Sequence, residues 1–135
     1  MRKVKVIRGE ELKYETGYEP PLRGKTGVCS KTVENPRVTQ AHVIIPPGSS
    51  NQRHFHVRAD AAMHLLKGRL KMFFGPDHDK EEVIVETGDF VFVPAGVIHG
   101  LLNPSNTDEA ELVSSYGGVG SLEEAETIFI EPPRS

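Results

Sequence analysis

The sequence predicts an all-β fold, a sandwich or a closed barrel, formed by a single domain. Its apolar residues alternate with polar ones or run for four to six residues between turn signals, and they rarely recur with a helical period. The chain carries 13 glycines and 10 prolines, which supply the turns that many short strands need. A length of 135 residues suffices to bury one core without disulfides, and no linker or internal repeat divides the chain.

Nine segments are predicted strands because their apolar residues alternate or form short runs between turn signals. In chain order they are Thr26–Val33, Arg37–Ile45, Gln52–Val57, Ala61–Leu66, Arg69–Phe74, Val83–Glu86, Phe90–Val93, Val97–Asn103 and Ala110–Tyr116. Asn35-Pro36 and Gly75-Pro76-Asp77 mark two of the turns between them. We therefore expect one domain over residues 1–135, with its core at roughly 26–116 and short extensions on either side.

Two further segments are helix candidates. Gly9–Thr16 lies near the start of the chain. Ser121–Thr127 is predicted to form a short C-terminal helix, because Ser121 can cap its first turn and Glu124 follows three residues later.

Composition and charge narrow the function classes. Lys and Arg total 16 against 19 Asp and Glu, and the net charge of -3 argues against a nucleic-acid-binding protein. The single cysteine, Cys29, permits no intrachain disulfide and favours a reducing compartment. No apolar run approaches the length of a membrane span, and Met1 to Tyr14 lacks the apolar stretch of a signal peptide. The expected location is therefore the cytoplasm, away from membranes.

His54 and His56 form the first candidate functional pair. They are two residues apart in a predicted strand, so both imidazoles leave the same face of the sheet. Two adjacent imidazoles on a rigid face can chelate one metal ion. His99 lies on a different strand, and in a closed barrel that strand can neighbour the first.

The spacing of these histidines matches two longer motifs. The first runs Gly48, five residues, His54-x-His56, and later Gly68; the second runs Gly88, five residues, Pro94-x-Gly96, two residues, His99, three residues, Asn103. Across residues 48–103 the chain resembles a small single-domain member of the cupin superfamily. The resemblance implies a double-stranded β-helix, or jelly-roll barrel. It also implies one divalent transition metal ion (Fe, Mn, Ni, Zn, Co or Cu) held by the three histidines.

The chain departs from the cupin pattern at the fourth ligand. The superfamily's glutamate position, seven residues before Gly68, holds Ala61, and its neighbour Asp60 is a possible replacement. Strand parity makes the two arrangements exclusive, because a shift of one residue turns every side chain to the other face. Either Ala61, Met63 and Leu65 face the interior, which we favour, or Asp60 and His64 do. A bulge near residue 60 could also turn Asp60 inward alone.

Other polar residues are candidates for supporting a ligand or contacting a substrate. Gln52 has the same strand parity as His54 and His56. Gln40 and His42 share a face of another strand, where His42 is equally well explained as a buried or interfacial residue. His64 is expected to face outward, and His78 to be solvated in a polar turn.

Three alternative functions are consistent with the group of His54, His56 and His99. The resemblance implies a metalloenzyme acting on a small molecule, either dioxygenase-like or a Lewis-acid isomerase or lyase. The alternative is a non-catalytic cupin that binds a sugar or other small molecule with a degenerate metal site, and a third possibility is a structural metal. The resemblance also implies a homodimer, in which the predicted N-terminal strand Lys3–Ile7 would gain a partner.

Overall fold

A computed structural model describes residues 3–16 and 19–132. Two five-stranded antiparallel sheets face each other, as in a jelly roll, and the all-β prediction is confirmed. The strands are β1 (Arg23–Val28), β2 (Val38–Ile45), β3 (His54–His56), β4 (Ala61–Lys67), β5 (Arg69–Phe74), β6 (Glu81–Glu86), β7 (Phe90–Val93), β8 (His99–Leu102), β9 (Ala110–Gly117) and β10 (Thr127–Phe129). One sheet has the order β1-β2-β9-β4-β7, and the other β10-β3-β8-β5-β6. No helix among the described residues is long and apolar enough to cross a membrane.

The first predicted strand ends earlier than its apolar pattern suggests. β1 stops at Val28, because the Thr32 hydroxyl donates to the Gly27 carbonyl at 2.8 Å and accepts from the Cys29 amide at 3.1 Å. These contacts close a turn where the sequence predicted strand up to Val33. Residues 3–7 likewise form no strand within the described chain.

Both helix predictions need correction. Gly9–Thr16 contains only a short 3-10 helix, Gly9–Glu11. The predicted helix Ser121–Thr127 is wrong, although its capping contacts form: the Glu124 amide donates to Ser121 Oγ at 3.0 Å. At Glu126 the backbone turns to a φ of +53°, and the chain enters β10. β10 pairs with β3 and extends the sheet by one strand. A helix at this position would have left β3 as an edge strand.

The core lies between the two sheets. Inward side chains of β4 (Ala61, Met63 and Leu65) meet Leu70 and Leu101 of the opposite sheet, and all five are at most 8% exposed. β4 therefore adopts the favoured register, with Ala61 inside and Ala62 outside. The alternative register, with Asp60 and His64 facing inward, is excluded.

Asn103 fastens one end of the barrel. Its side-chain amide donates to the carbonyls of Ile45 at 3.0 Å and Asp108 at 2.8 Å, and its oxygen accepts from the Ser105 amide at 3.0 Å. The residue is 1% exposed, so these groups have no access to water. This confirms the expectation that the residue closing the second motif secures a turn by hydrogen bonding.

We expect Asn103→Ala to lower the free energy of unfolding by about 2–4 kcal/mol, because it leaves buried carbonyls without donors. Denaturant unfolding would measure the loss. Asn106→Ala, at an exposed position of the same loop, is the control and should change little. Equal stability of the two variants would contradict the stabilising role of the Asn103 hydrogen bonds.

Candidate metal centre

Three histidines converge inside the barrel. His54 and His56 leave the same face of β3, and His54 lies directly opposite His99 of β8. One ring nitrogen from each histidine falls in a group whose members are all within 4.8 Å of one another. All three residues are at most 3% exposed, so the predicted cluster forms within the structure's interior.

The Nδ1 atom of each ring has a partner outside the cluster. His54 Nδ1 donates to the Gln52 carbonyl at 2.7 Å, and His99 Nδ1 donates to the Val97 carbonyl at 2.9 Å. Because a carbonyl can only accept, these Nδ1 atoms carry hydrogen. The neutral rings then present an Nε2 lone pair to the cluster. His56 Nδ1 is held by Thr127 Oγ1 of β10 at 2.8 Å.

Two of the Nε2 atoms are buried without a hydrogen-bond partner among the described residues, those of His56 and His99. An unsatisfied buried polar atom is costly, and native proteins rarely keep one without a reason. An ion bound to neutral imidazole nitrogens would satisfy both atoms at once. The donor set therefore fits a transition metal ion.

Glu19 is a member of the site that the sequence analysis missed. It lies in the segment before β1, and its Oε1 is 3.0 Å from Nε2 of His54. Asn51 Nδ2 donates to the other carboxylate oxygen, Oε2, at 3.4 Å. Glu19 is 35 residues before His54 and belongs to neither motif, so only the folded chain reveals the contact.

The pKa of His54 is shifted in the opposite direction from the pKa values of His56 and His99. Burial would raise the pKa of Glu19, but its hydrogen bond to His54 and the charge of that ring lower the pKa to about 2. Burial would lower the pKa of His54, but Glu19 outweighs it and raises the pKa above its ordinary value. His56 and His99 have their pKa values lowered to about 4, first by burial and then by the charge of His54. At neutral pH those two rings are neutral and available as ligands.

Asp60 does not join the cluster. It is exposed, and its Oδ1 accepts from the Ala95 amide at 2.9 Å, within the Pro94-x-Gly96 turn of the second motif. The amide of Gly96 in turn donates to the His56 carbonyl at 2.8 Å. Asp60 therefore fixes the turn beside His56, and the possibility that it replaces the missing glutamate is wrong.

The predicted substrate contacts Gln40 and His42 are also corrected. They pair with Ser115 and Val113 on the outer face of the sheet, on the side opposite the barrel interior. Gln40 donates to Ser115 Oγ at 3.2 Å, and His42 lies between Tyr14 and Glu111. The strand alternation was predicted correctly, but it could not say which of the two faces is the interior.

Gln52 acts through its backbone. Its carbonyl accepts from His54 Nδ1, while its side-chain amide donates to the Glu131 carbonyl at 2.7 Å. The residue is 6% exposed. Its backbone thus contacts His54, and its side-chain amide is engaged by Glu131.

In chelator-treated protein we expect stability to fall as the pH drops from about 6.5 to about 4, the ordinary and lowered pKa values of His56 and His99. Between these pH values the two histidines bind protons in the unfolded chain but not in the folded protein. The free energy of unfolding therefore rises with pH. Each ring contributes up to about 3 kcal/mol. Denaturant unfolding at several pH values should show a shallower slope for a His56→Gln/His99→Gln variant. If the variant shows the same pH dependence of stability as the parent protein, His56 and His99 are not its source.

Comparison with known proteins agrees with this geometry. The family described as "Cupin domain" matches residues 41–116. Germin-like protein subfamily 3 member 2 of Arabidopsis thaliana is 35% identical over 60 residues, which cover 44% of this chain. The match spans 26% of that protein, so this chain corresponds to about a quarter of its length.

Solved structures share the fold at low sequence identity. An oxalate oxidase is 21% identical with a TM-score of 0.69, over 90% of this chain and 64% of that one. The polyketide cyclase RemF from Streptomyces resistomycificus is 15% identical with a TM-score of 0.75, over 98% of this chain and 89% of that one. KdgF from Halomonas sp. is 15% identical with a TM-score of 0.70, over 89% of this chain and 98% of that one. With the family match covering more than half of its residues, the chain belongs to the cupin domain family.

Proposed function

We propose that this protein is a metal-dependent enzyme acting on a small molecule, with one divalent transition metal ion held by His54, His56 and His99. The observation that carries the proposal is the pair of buried Nε2 atoms, of His56 and His99, that have no partner among the described residues. Each faces a cluster whose rings are fixed from behind through Nδ1. Such anchoring of the distal nitrogen orients a histidine for metal binding.

The side chains around the cluster control which molecules reach it. Tyr116 packs its ring 5.0 Å from that of His56, and Ala61 occupies the neighbouring inward position with 1% exposure. These groups exclude water from one side. Glu19 has a side chain that is 20% exposed, so this side of the cluster is the more open one. We infer that the site opens to solvent beside Glu19, since Asn51 next to it is 4% exposed.

The bound ion would supply Lewis acidity or, if it is iron, oxygen activation. Three protein nitrogens leave coordination positions for a small molecule that binds through oxygen. The fold similarity to an oxalate oxidase and to oxalate decarboxylase of Bacillus subtilis supports an oxygen-rich substrate. The identity of the metal decides between dioxygenase-like chemistry and isomerase or lyase chemistry.

A second candidate function is that of a binding protein without catalysis. The ion pair between His54 and Glu19 favours it, because it satisfies His54 Nε2 within the protein. A binder would hold its ligand in chelator-treated protein, whereas the proposed enzyme would lose substrate turnover along with the metal.

Elemental analysis of protein purified without a chelating column tests the metal site. We expect close to one equivalent of metal per chain, and its loss in a His54→Ala/His56→Ala variant. His64→Ala/His78→Ala removes two histidines outside the cluster and should retain the metal. A native protein that holds no metal, and takes up no added Fe, Mn, Ni or Zn, would overturn the proposal.

We further propose that two copies of the chain associate through the outer face of β7. Phe90 and Phe92 are 80% and 65% exposed on this edge strand, beside the outward residue Leu66 of β4 at 45%. Solvent-exposed aromatic residues grouped on one sheet face are typical of an interface.

A Phe90→Ser/Phe92→Ser variant is expected to be monomeric at concentrations where the parent protein is a dimer, because the substitutions remove the apolar surface that association would bury. Sedimentation velocity would measure the two states. Val83→Ser/Ile84→Ser, at half-exposed positions of the other sheet, is the matched control and should stay dimeric. A parent protein that sediments as a monomer would contradict the proposed interface.

A further inference from the structure

We propose that Glu19 is a fourth ligand of the same ion, a carboxylate supplied by the segment before β1. This inference rests on the proposed metal site and adds a residue to it. It also explains how the chain accommodates Ala61, which puts a methyl group where the cupin motif has a glutamate. The carboxylate enters the cluster from a different part of the sequence.

The distance between Glu19 and His54 suits two ligands of one ion. Carboxylate oxygens and imidazole nitrogens bind such ions at about 2.1 Å, and two ligand atoms at a right angle are then about 3.0 Å apart. Glu19 Oε1 and His54 Nε2 are separated by 3.0 Å. The carboxylate therefore stands beside the nitrogen as a neighbouring ligand would.

The geometry of the contact between His54 and Glu19 requires a hydrogen or a cation between Nε2 and Oε1. Nδ1 of His54 donates to the Gln52 carbonyl, so a neutral ring would point its Nε2 lone pair at the carboxylate oxygen. Two lone pairs at hydrogen-bond distance repel. A proton on Nε2 removes the conflict, and so does a metal ion bound by both atoms. Glu19 is thus placed where a cation belongs.

The second oxygen of Glu19 has a separate anchor. Asn51, which is 4% exposed, donates from Nδ2 to Glu19 Oε2 and accepts from the Leu101 amide at 2.9 Å. Leu101 follows His99 by two residues on β8. Asn51 therefore ties the carboxylate to the strand that carries His99 and leaves Oε1 in contact with Nε2 of His54.

The charge of the site supports the same role. Three neutral imidazoles leave a divalent ion with its full charge in a buried location, which is unfavourable. One carboxylate lowers the net charge to about +1. Of the carboxylates in the described chain, Glu19 is the one that makes an ion pair with a cluster histidine.

The test is metal binding by Glu19→Gln, with Glu15→Gln as the control. Both variants remove one negative charge from the same segment, but Glu15 is exposed, whereas Glu19 contacts Nε2 of His54. The readouts are Zn²⁺ affinity by chelator competition and the visible spectrum of Co²⁺-loaded protein, which reports the ligand set. We expect Glu19→Gln to bind Zn²⁺ at least about 10-fold more weakly and to shift the Co²⁺ spectrum. Glu15→Gln should match the parent protein in both readouts.

Two outcomes for Glu19→Gln would overturn the inference. Unchanged affinity would show that Glu19 is not a ligand, and reduced affinity with an unchanged Co²⁺ spectrum would show that it acts only through its charge. If the parent protein binds metal, both of these outcomes reject Glu19 as a ligand but retain the three-histidine site. If the parent protein binds no metal, both proposals are overturned. If Glu19→Gln fails to fold, Glu19→Asp, which keeps the charge and shortens the reach, gives the same readouts.

Discussion

The pairing of His54 with His99 across β3 and β8 is the constraint on which the site depends. It places two imidazoles side by side on neighbouring strands, and the alternation along β3 adds His56 on the same face. The distal nitrogens are then fixed by carbonyls and by Thr127, so the rings cannot turn away. The cost is a pair of buried, unsatisfied Nε2 atoms, which a bound cation would relieve.

The second motif supports this arrangement through its turn. The Gly96 amide donates to the His56 carbonyl, and Gly96 has a φ of +84°, a conformation that a side chain disfavours. Asp60 holds the same turn through the Ala95 amide. Residues that look like spacers or spare ligands in the sequence therefore position the turn that leads into the strand beginning at His99.

Ala61 and Glu19 lie in different surroundings within the barrel. Ala61 continues an apolar wall with Met63 and Leu65, and this wall keeps the interior of β4 dry. Glu19 instead comes from the segment before β1, and its side chain is 20% exposed. The carboxylate of Glu19 is therefore partly exposed to solvent, whereas the Ala61 position on β4 is 1% exposed.

The sequence by itself determined the all-β class and eight of the nine predicted strands to within two residues of their observed ends, and it favoured the observed register of β4. It also grouped His54, His56 and His99, because alternation and motif spacing are local signals. The tertiary structure decided the rest. It set which face of β2 is outside, which removed Gln40 and His42, and it drew residues 127–129 into a strand where capping residues had predicted a helix. It also brought Glu19 to His54 across 35 residues, a long-range contact that no local pattern encodes.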